Sequence, residues 1–219
     1  MGRELDLLAG YPRSPRDVEG RGASRTAEDQ RVARRFGREF FDGERRHGYG
    51  GYRYHPRFWQ PVVPQFARHY GLRAGSRVLD VGCAKGFLLF DLQQLVPGVR
   101  VVGLDVSEYA LGESLPEVRP LVLRADARAL PFPDRTFDLV ISINTVHNLG
   151  LEECAGALRE IERVGRGACF VSVDAWRNDE EKVRMESWAL TARTLMHVDD
   201  WRRFFAEAGY RGDYTWFIP

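Results

Sequence analysis

The chain reads as an α/β protein built on a doubly wound, mostly parallel sheet with helices on both faces, and three observations carry that reading. Short β-branched and aliphatic runs alternate with helix-patterned stretches from residue 75 onward, the order of successive βαβ units. Two of those runs, Val78-Leu79 and Val101-Val102-Gly103-Leu104, end on acids, Asp80 and Asp105. After the first, the backbone turns through Gly82, Ala84 and Gly86 into the apolar pattern Phe87-Leu88-Leu89-Phe90-Asp91-Leu92. Such a strand, glycine loop and helix lets a ligand approach the backbone closely. Ligands of open parallel sheets bind outside the carboxyl ends of the strands, so both acids are expected to face one site.

Taken in order, residues 1–25 are rich in Arg, Gly, Pro and Ser and predict a loosely ordered leader. Thr26 can cap a helix whose first turn carries Glu28 and Asp29 and whose apolar residues Val32, Phe36 and Phe40 recur every four positions, ending near Gly43. The stretch 47–59 alternates glycines with aromatics, including Tyr52 and Tyr54, which suits a loop folding over a ligand. Pro61 opens a helix with Val63, Phe66, Ala67 and Tyr70 on one face, closed by Gly71.

The glycine-loop helix runs from Phe87 to about Val96 and stops at Pro97-Gly98, and Ser107 can cap a short helix near 108–112. Further strands are expected over 120–125, ending at Asp126, over 137–144, and over 168–173, ending at Asp174. Between the last two, residues 151–164 are amphipathic, with Cys154, Leu158 and Ile161 on one side and Gly165 as the stop. Residues 175–198 break the alternation, and Met185, Trp188, Leu190 and Leu195 predict an inserted lid over the strand ends. Asp199-Asp200 opens a helix ending at Gly209, and 214–218 is the last strand.

Composition narrows the function. Net charge is +1 and all but two of the 32 basic residues are arginine, a near-balance that offers no broad nucleic-acid surface. No apolar run approaches the roughly 20 residues of a membrane span, and the first residues lack a signal peptide's apolar region, so a cytoplasmic protein without membrane contact is expected. Cys83, Cys154 and Cys169 show no paired spacing and the five histidines form no ligand motif, so neither a disulfide framework nor a metal is predicted. The dinucleotide fingerprint fails because the third and sixth positions from Gly82 are Ala84 and Phe87, and no Gly-Lys-Ser/Thr follows for a P-loop. A carboxylate at the first strand tip would repel a pyrophosphate and suits a cationic ligand.

The pattern Asp80-x-Gly82-x-Ala84-x-Gly86 followed by Asp105 resembles the first two motifs of the class I S-adenosylmethionine (SAM)-dependent methyltransferases. The resemblance continues in order through Ala125-Asp126-Ala127, Leu130–Asp134, Phe137–Val140, Val146–Leu149 and Glu160–Val164, and covers about residues 75–174. Ala84 stands where the family usually has glycine. The resemblance implies a Rossmann-like methyltransferase sheet of six or seven strands over residues 75–219. The N-terminal helices and aromatic segment of 26–74 would form part of a lid, and one strand is found where the family usually has two after the last helix.

It also implies SAM as cofactor, with S-adenosylhomocysteine as product. Gly82, Cys83, Ala84 and Gly86 would approach the amino-acid part, and Asp80 would hold the loop or the ammonium. Asp105 would take the ribose hydroxyls, Val106 the adenine face, Asp126 and Ala127 the adenine edge, and Asn144 the methionyl chain. An oxygen or nitrogen acceptor gains from a base near the methyl group. His147, after the fourth strand, is the first candidate and Asp174 the second. Tyr52, Tyr54 and Trp188 are candidates for lining an acceptor pocket. The expected activity is methylation of O or N on a small-molecule metabolite, with carbon methylation, another SAM-dependent reaction, or a non-catalytic SAM-binding subunit as alternatives. The oligomeric state stays open.

Overall fold

The computed structural model describes residues 2–12 and 17–219. Five of its seven strands come first in the chain: β1 (Arg77–Val81), β2 (Arg100–Asp105), β3 (Val122–Arg124), β4 (Leu139–Ile143) and β5 (Cys169–Trp176). With β6 (Met196–His197) they run in the order β3-β2-β1-β4-β5-β6, while β7 (Asp213–Phe217) also pairs with β5. Every pairing is parallel, with Leu79 opposite Val102 and Val140, and Val171 opposite Tyr214. The expectation of six or seven strands resolves to seven because the two-residue β6 adds a short rung opposite Ala175 and Trp176.

Alternation along each strand sends side chains to opposite faces, and both faces are covered. Leu79, Val81, Val140, Val171 and Val173 pack with α8 (Leu151–Val164) and α10 (Val198–Ala208), around Leu158, Ile161, Trp201 and Phe205. Val78, Leu139, Ile141 and Phe170 face α5 (Val63–Tyr70) and α6 (Phe87–Leu95), around Phe66, Leu89 and Leu92. Each fully buried Leu or Phe contributes about 1.5–3 kcal/mol relative to exposure. Helix α8 shows how local chemistry agrees with that packing. Cys154, Ala157, Leu158, Ile161 and Val164 are its buried face, Glu152 and Glu153 sit in the first turn, and the Glu153 carboxylate accepts from the Gly150 amide at 3.2 Å.

Three expectations need correction. The helix expected from Thr26 to Gly43 is broken. Thr26 and Asp29 do form a capping box on α2 (Ala27–Ala33), but Phe36 takes a left-handed φ of 49° and a new turn, α3 (Arg38–Phe41), follows. The break frees the Phe36 carbonyl to accept from the hydroxyl of Ser107, the cap of α7 (Glu108–Gly112), so a tertiary contact overrides the four-residue periodicity. The fifth strand runs on to Trp176 because β7 and β6 give it partners that far, and Asp174 therefore lies within the strand.

The leader expected over 1–25 lies partly outside the described residues, at Met1 and 13–16. Where described, it is docked. Glu4 bridges to Tyr214 beside β7, the Leu5 amide donates to the Tyr214 carbonyl at 2.9 Å, and Leu7, Leu8 and Tyr11 pack against the α5–α6 core. Helix α1 (Val18–Ser24) then packs on α9 (Asp179–Trp188), so close that a Cβ on Gly22 would meet Ser187 Cβ at 2.7 Å. The Arg25 guanidinium donates to the Glu186 and Ser187 carbonyls and to that of Ala189, satisfying the carbonyls that a helix leaves open at its C-terminus. No helix among the described residues is long and apolar enough to cross a membrane.

Candidate active site

One cavity of about 1320 Å³ lies over the carboxyl ends of the strands and runs from Asp80, Gly82, Asp105 and Asp126 to His147, Asp174 and Trp188. At the β1 end, Gly82, Ala84 and Gly86 all have positive φ, 84°, 49° and 73°. Only Ala84 takes that conformation at a steric cost, which the hydrogen bond from its amide to Asp105 Oδ2 at 2.8 Å offsets. The Gly82 and Cys83 amides donate to the Leu104 carbonyl, which folds the loop back over β2. A Cβ on Gly82 would strike Thr145 Oγ1, so the loop and the end of β4 meet at a distance only glycine permits.

Asp80 and Asp105 sit side by side but do different work. Both oxygens of Asp105 accept from backbone amides, Oδ2 from Ala84 and Oδ1 from Ser107 at 2.8 Å, so it pins the glycine loop and the cap of α7; burial still raises its pKa. Asp80 is 5% exposed, and its carboxyl makes no hydrogen bond or ion pair among the described residues. Burial, with the neighbouring Asp105, pushes it up to about 7. A buried carboxyl with no partner that opens on a cavity is what a cationic ligand would use, and the SAM ammonium fits it.

The other expected cofactor residues also line this end. Cys83 is buried, and burial beside the two aspartates raises its thiol pKa well above the ordinary value. Val106 exposes 46% of its surface at the lip, and Ala127 is buried against the β1 and β2 ends. Asn144 has a φ of 52°, and its side-chain oxygen accepts from Ser172 Oγ at 2.9 Å. Asp126 is already engaged, since Arg128 donates to both of its oxygens and holds its pKa below the usual value.

His147 and Asp174 meet, although 27 residues separate them in the chain. The Asp174 backbone amide donates to His147 Nδ1 at 3.1 Å, and His147 Nε2 lies 3.6 Å from Asp174 Oδ2. Burial lowers the histidine's pKa, with Asp174 opposing, so the ring is neutral at pH 7 with its proton on Nε2. The lone pair that His147 would need for its expected role as proton acceptor is therefore occupied by the Asp174 amide.

The three expected pocket aromatics separate. Tyr52 lines the cavity and stacks on Phe87, with ring centroids 5.0 Å apart, and Trp188 closes the far end. Tyr54 does not line it. Its hydroxyl donates to the buried Asp91 Oδ1 at 2.8 Å, and its ring packs edge-on against Phe87 and Phe90. Residues two apart in an extended segment share a face, and both tyrosines do touch the Phe87 ring; what separates them is the Tyr54 hydroxyl, which is drawn to Asp91 and away from the cavity.

Sequence reasoning missed two groups. Lys85, in the glycine loop and 5% exposed, points away from the cavity to Asp42 Oδ2 at 2.5 Å, where Tyr109 also donates at 2.7 Å. The Tyr52 amide donates to the other Asp42 oxygen, so one carboxylate ties the N-terminal segment, the glycine loop and α7 together. One of only two lysines in an arginine-rich chain falling inside the loop was the available signal. The second group is Arg21, whose guanidinium lies 4.4 Å from the Trp188 ring, and no periodicity marks it.

Residues 79–171 match the methyltransferase domain family. They form a class I SAM-dependent methyltransferase domain. Among curated proteins, the methyltransferase domain is similar to a demethylmenaquinone methyltransferase of Roseiflexus castenholzii, 31% identical over 55% of this chain and 51% of that one. It is also similar to the sterol 24-C-methyltransferase ERG6B of Gibberella zeae, 34% identical over 50% of this chain and 30% of that one. The chain thus spans about half the length of the first relative and less than a third of the second. Among solved structures, a SAM-dependent methyltransferase from Aquifex aeolicus shares the fold, with a TM-score of 0.50, 20% identity and 89% of each chain covered. Among the described residues, no group of three or more His, Cys, Asp and Glu is clustered to hold a metal ion.

Proposed function

We propose that the protein transfers a methyl group from SAM to an oxygen or nitrogen of a small-molecule acceptor. The observation that carries this reading is the continuity of the cavity, which joins the glycine loop and its acids to His147 and Asp174. A SAM-binding subunit without turnover has no need of that second half. Bound SAM supplies an electrophilic methyl on a positively charged sulfur.

The chain's own residues do the rest. Asp80 holds the ammonium, the Gly82–Gly86 loop cradles the amino-acid part, and Asp105 keeps that loop in place while offering its remaining lone pairs to the ribose. Val106 and Ala127 flank the adenine, Asp126 reaches its edge beside Arg128, and Asn144 lies along the methionyl chain. Asp174, oriented by His147, takes the proton that an O–H or N–H acceptor loses. Tyr52 and Trp188 border the acceptor, and the segments 26–74 and 175–198 close over it and exclude water, so that positioning and desolvation contribute to the rate. Carbon methylation is the second reading, favoured by the sterol 24-C-methyltransferase among the relatives. The balanced charge supports a small acceptor over nucleic acid, and the protein acts in the cytoplasm.

The test is calorimetric titration with S-adenosylhomocysteine and with NAD, on the native chain and on Asp105→Ala, followed by acceptor screening with SAM. Micromolar binding of the homocysteine ligand, weakened by the substitution and absent for NAD, is the expected result. No binding by folded protein would overturn the cofactor assignment. Turnover only with acceptors that gain a C–CH3 bond would select the second reading.

A further inference from the structure

The basic residues that line the cavity are nearly all occupied. Arg177 pairs with Glu4 and Glu181, Arg46 pairs with Asp29 at 2.9 Å, and Arg45 donates to the Gly48 and Tyr49 carbonyls. Arg53 is exposed to solvent. Arg21 is different. It is half-buried, its Cζ lies 4.4 Å from the centroid of the Trp188 ring, and its Nε is buried with no hydrogen-bond partner. Its guanidinium makes no hydrogen bond or ion pair among the described residues. The nearest carboxylate in sequence, Asp17, accepts from the Gly20 amide at 2.8 Å and caps α1. Arg45 and Arg25 are close enough to lower the Arg21 pKa along with burial, to about 10, and neither is ion-paired among the described residues. Arg21 thus brings a half-buried guanidinium without a partner among the described residues to a cavity whose walls include Tyr49, Phe58, Trp188 and Trp216.

We propose that Arg21 is an acceptor-specificity residue that binds a carboxylate on a planar, aromatic acceptor, an inference that rests on the methyltransferase reading above. One unpaired guanidinium matches the bidentate geometry and single charge of a carboxylate, whereas a doubly charged phosphate would call for a second free donor set. The aromatic walls select the body of the molecule and the arginine its orientation, which turns the reacting heteroatom toward the methyl group.

The experiment uses the full chain saturated with S-adenosylhomocysteine and titrates 2-naphthoate against its neutral isostere 2-naphthamide, in the native protein, Arg21→Gln and Arg21→Lys. The native protein should prefer the carboxylate at least tenfold. Arg21→Gln should lose that preference, Arg21→Lys should retain part of it, and all three should bind S-adenosylhomocysteine equally. Equal affinity for the two probes, binding of neither, or an undiminished preference in Arg21→Gln would overturn the carboxylate site while leaving the methyltransferase reading intact. Failure of all three proteins to bind S-adenosylhomocysteine would overturn both.

Discussion

At one end of the cavity, Asp80, Asp105 and Asp126 bring three carboxyl groups to the tips of adjacent strands, all from one continuous half of the sheet. At the other end, Arg21, Arg45, His147, Asp174 and Trp188 come from five separate parts of the chain. The proposed cofactor end is thus acidic and built by strands close in sequence, while the proposed acceptor end mixes Arg21 and Arg45 with Asp174 and is assembled from remote segments.

The largest expected effect breaks the acceptor end alone. Asp174→Asn keeps the shape but removes the proton acceptor, and turnover should fall about a thousandfold, with S-adenosylhomocysteine affinity unchanged. Steady-state kinetics beside calorimetry decides it, since unchanged turnover would leave positioning as the whole mechanism. Next is the tie between the two halves. Asp42→Ala leaves the buried Lys85 ammonium without its carboxylate and should cost about 3 kcal/mol in urea denaturation. A loss below about 1 kcal/mol would mean that the lysine finds water instead.

Asp105→Ala strips the Ala84 and Ser107 amides of their acceptor and should weaken S-adenosylhomocysteine binding roughly thirtyfold or more, about 2 kcal/mol. A matching loss of stability would come from the loop, whereas weakened binding without it would assign the effect to ribose contacts. The smallest effect sharpens the contrast between the two aspartates. A carboxyl raised to about 7 stays protonated in the folded state between about pH 4 and 7 while the unfolded chain ionises, so the ligand-free protein loses stability as pH rises through that window. Asp80→Asn should remove that slope and stabilise the ligand-free chain at pH 8 by roughly 2 kcal/mol, yet weaken SAM binding. In the native protein SAM affinity should fall below about pH 7 as Asp80 protonates. A flat affinity profile would show that Asp80 does not meet the ammonium.

The reach of the sequence follows the same division. Strand, glycine loop and helix are local patterns, and the periods that mark β1, α6 and α8 reflect which face is buried, so Asp80, Gly82, Gly86 and Asp105 were legible without coordinates. Periodicity failed at Phe36, where a side chain from α7 competes for a backbone carbonyl, and spacing failed at Tyr54, where the buried Asp91 carboxylate draws the hydroxyl away from the cavity.

By itself, then, the sequence determined the parallel α/β architecture and the strand ends and glycine loop that open on the cavity, because each depends on contacts within a few tens of residues. The tertiary structure alone decided that Asp174 and His147 share a hydrogen bond, that Lys85 turns away to Asp42, and that Arg21 closes on Trp188. Those pairings join residues far apart in the chain, and which distant polar groups meet is set by the burial of the apolar faces that carry them, which no local pattern records.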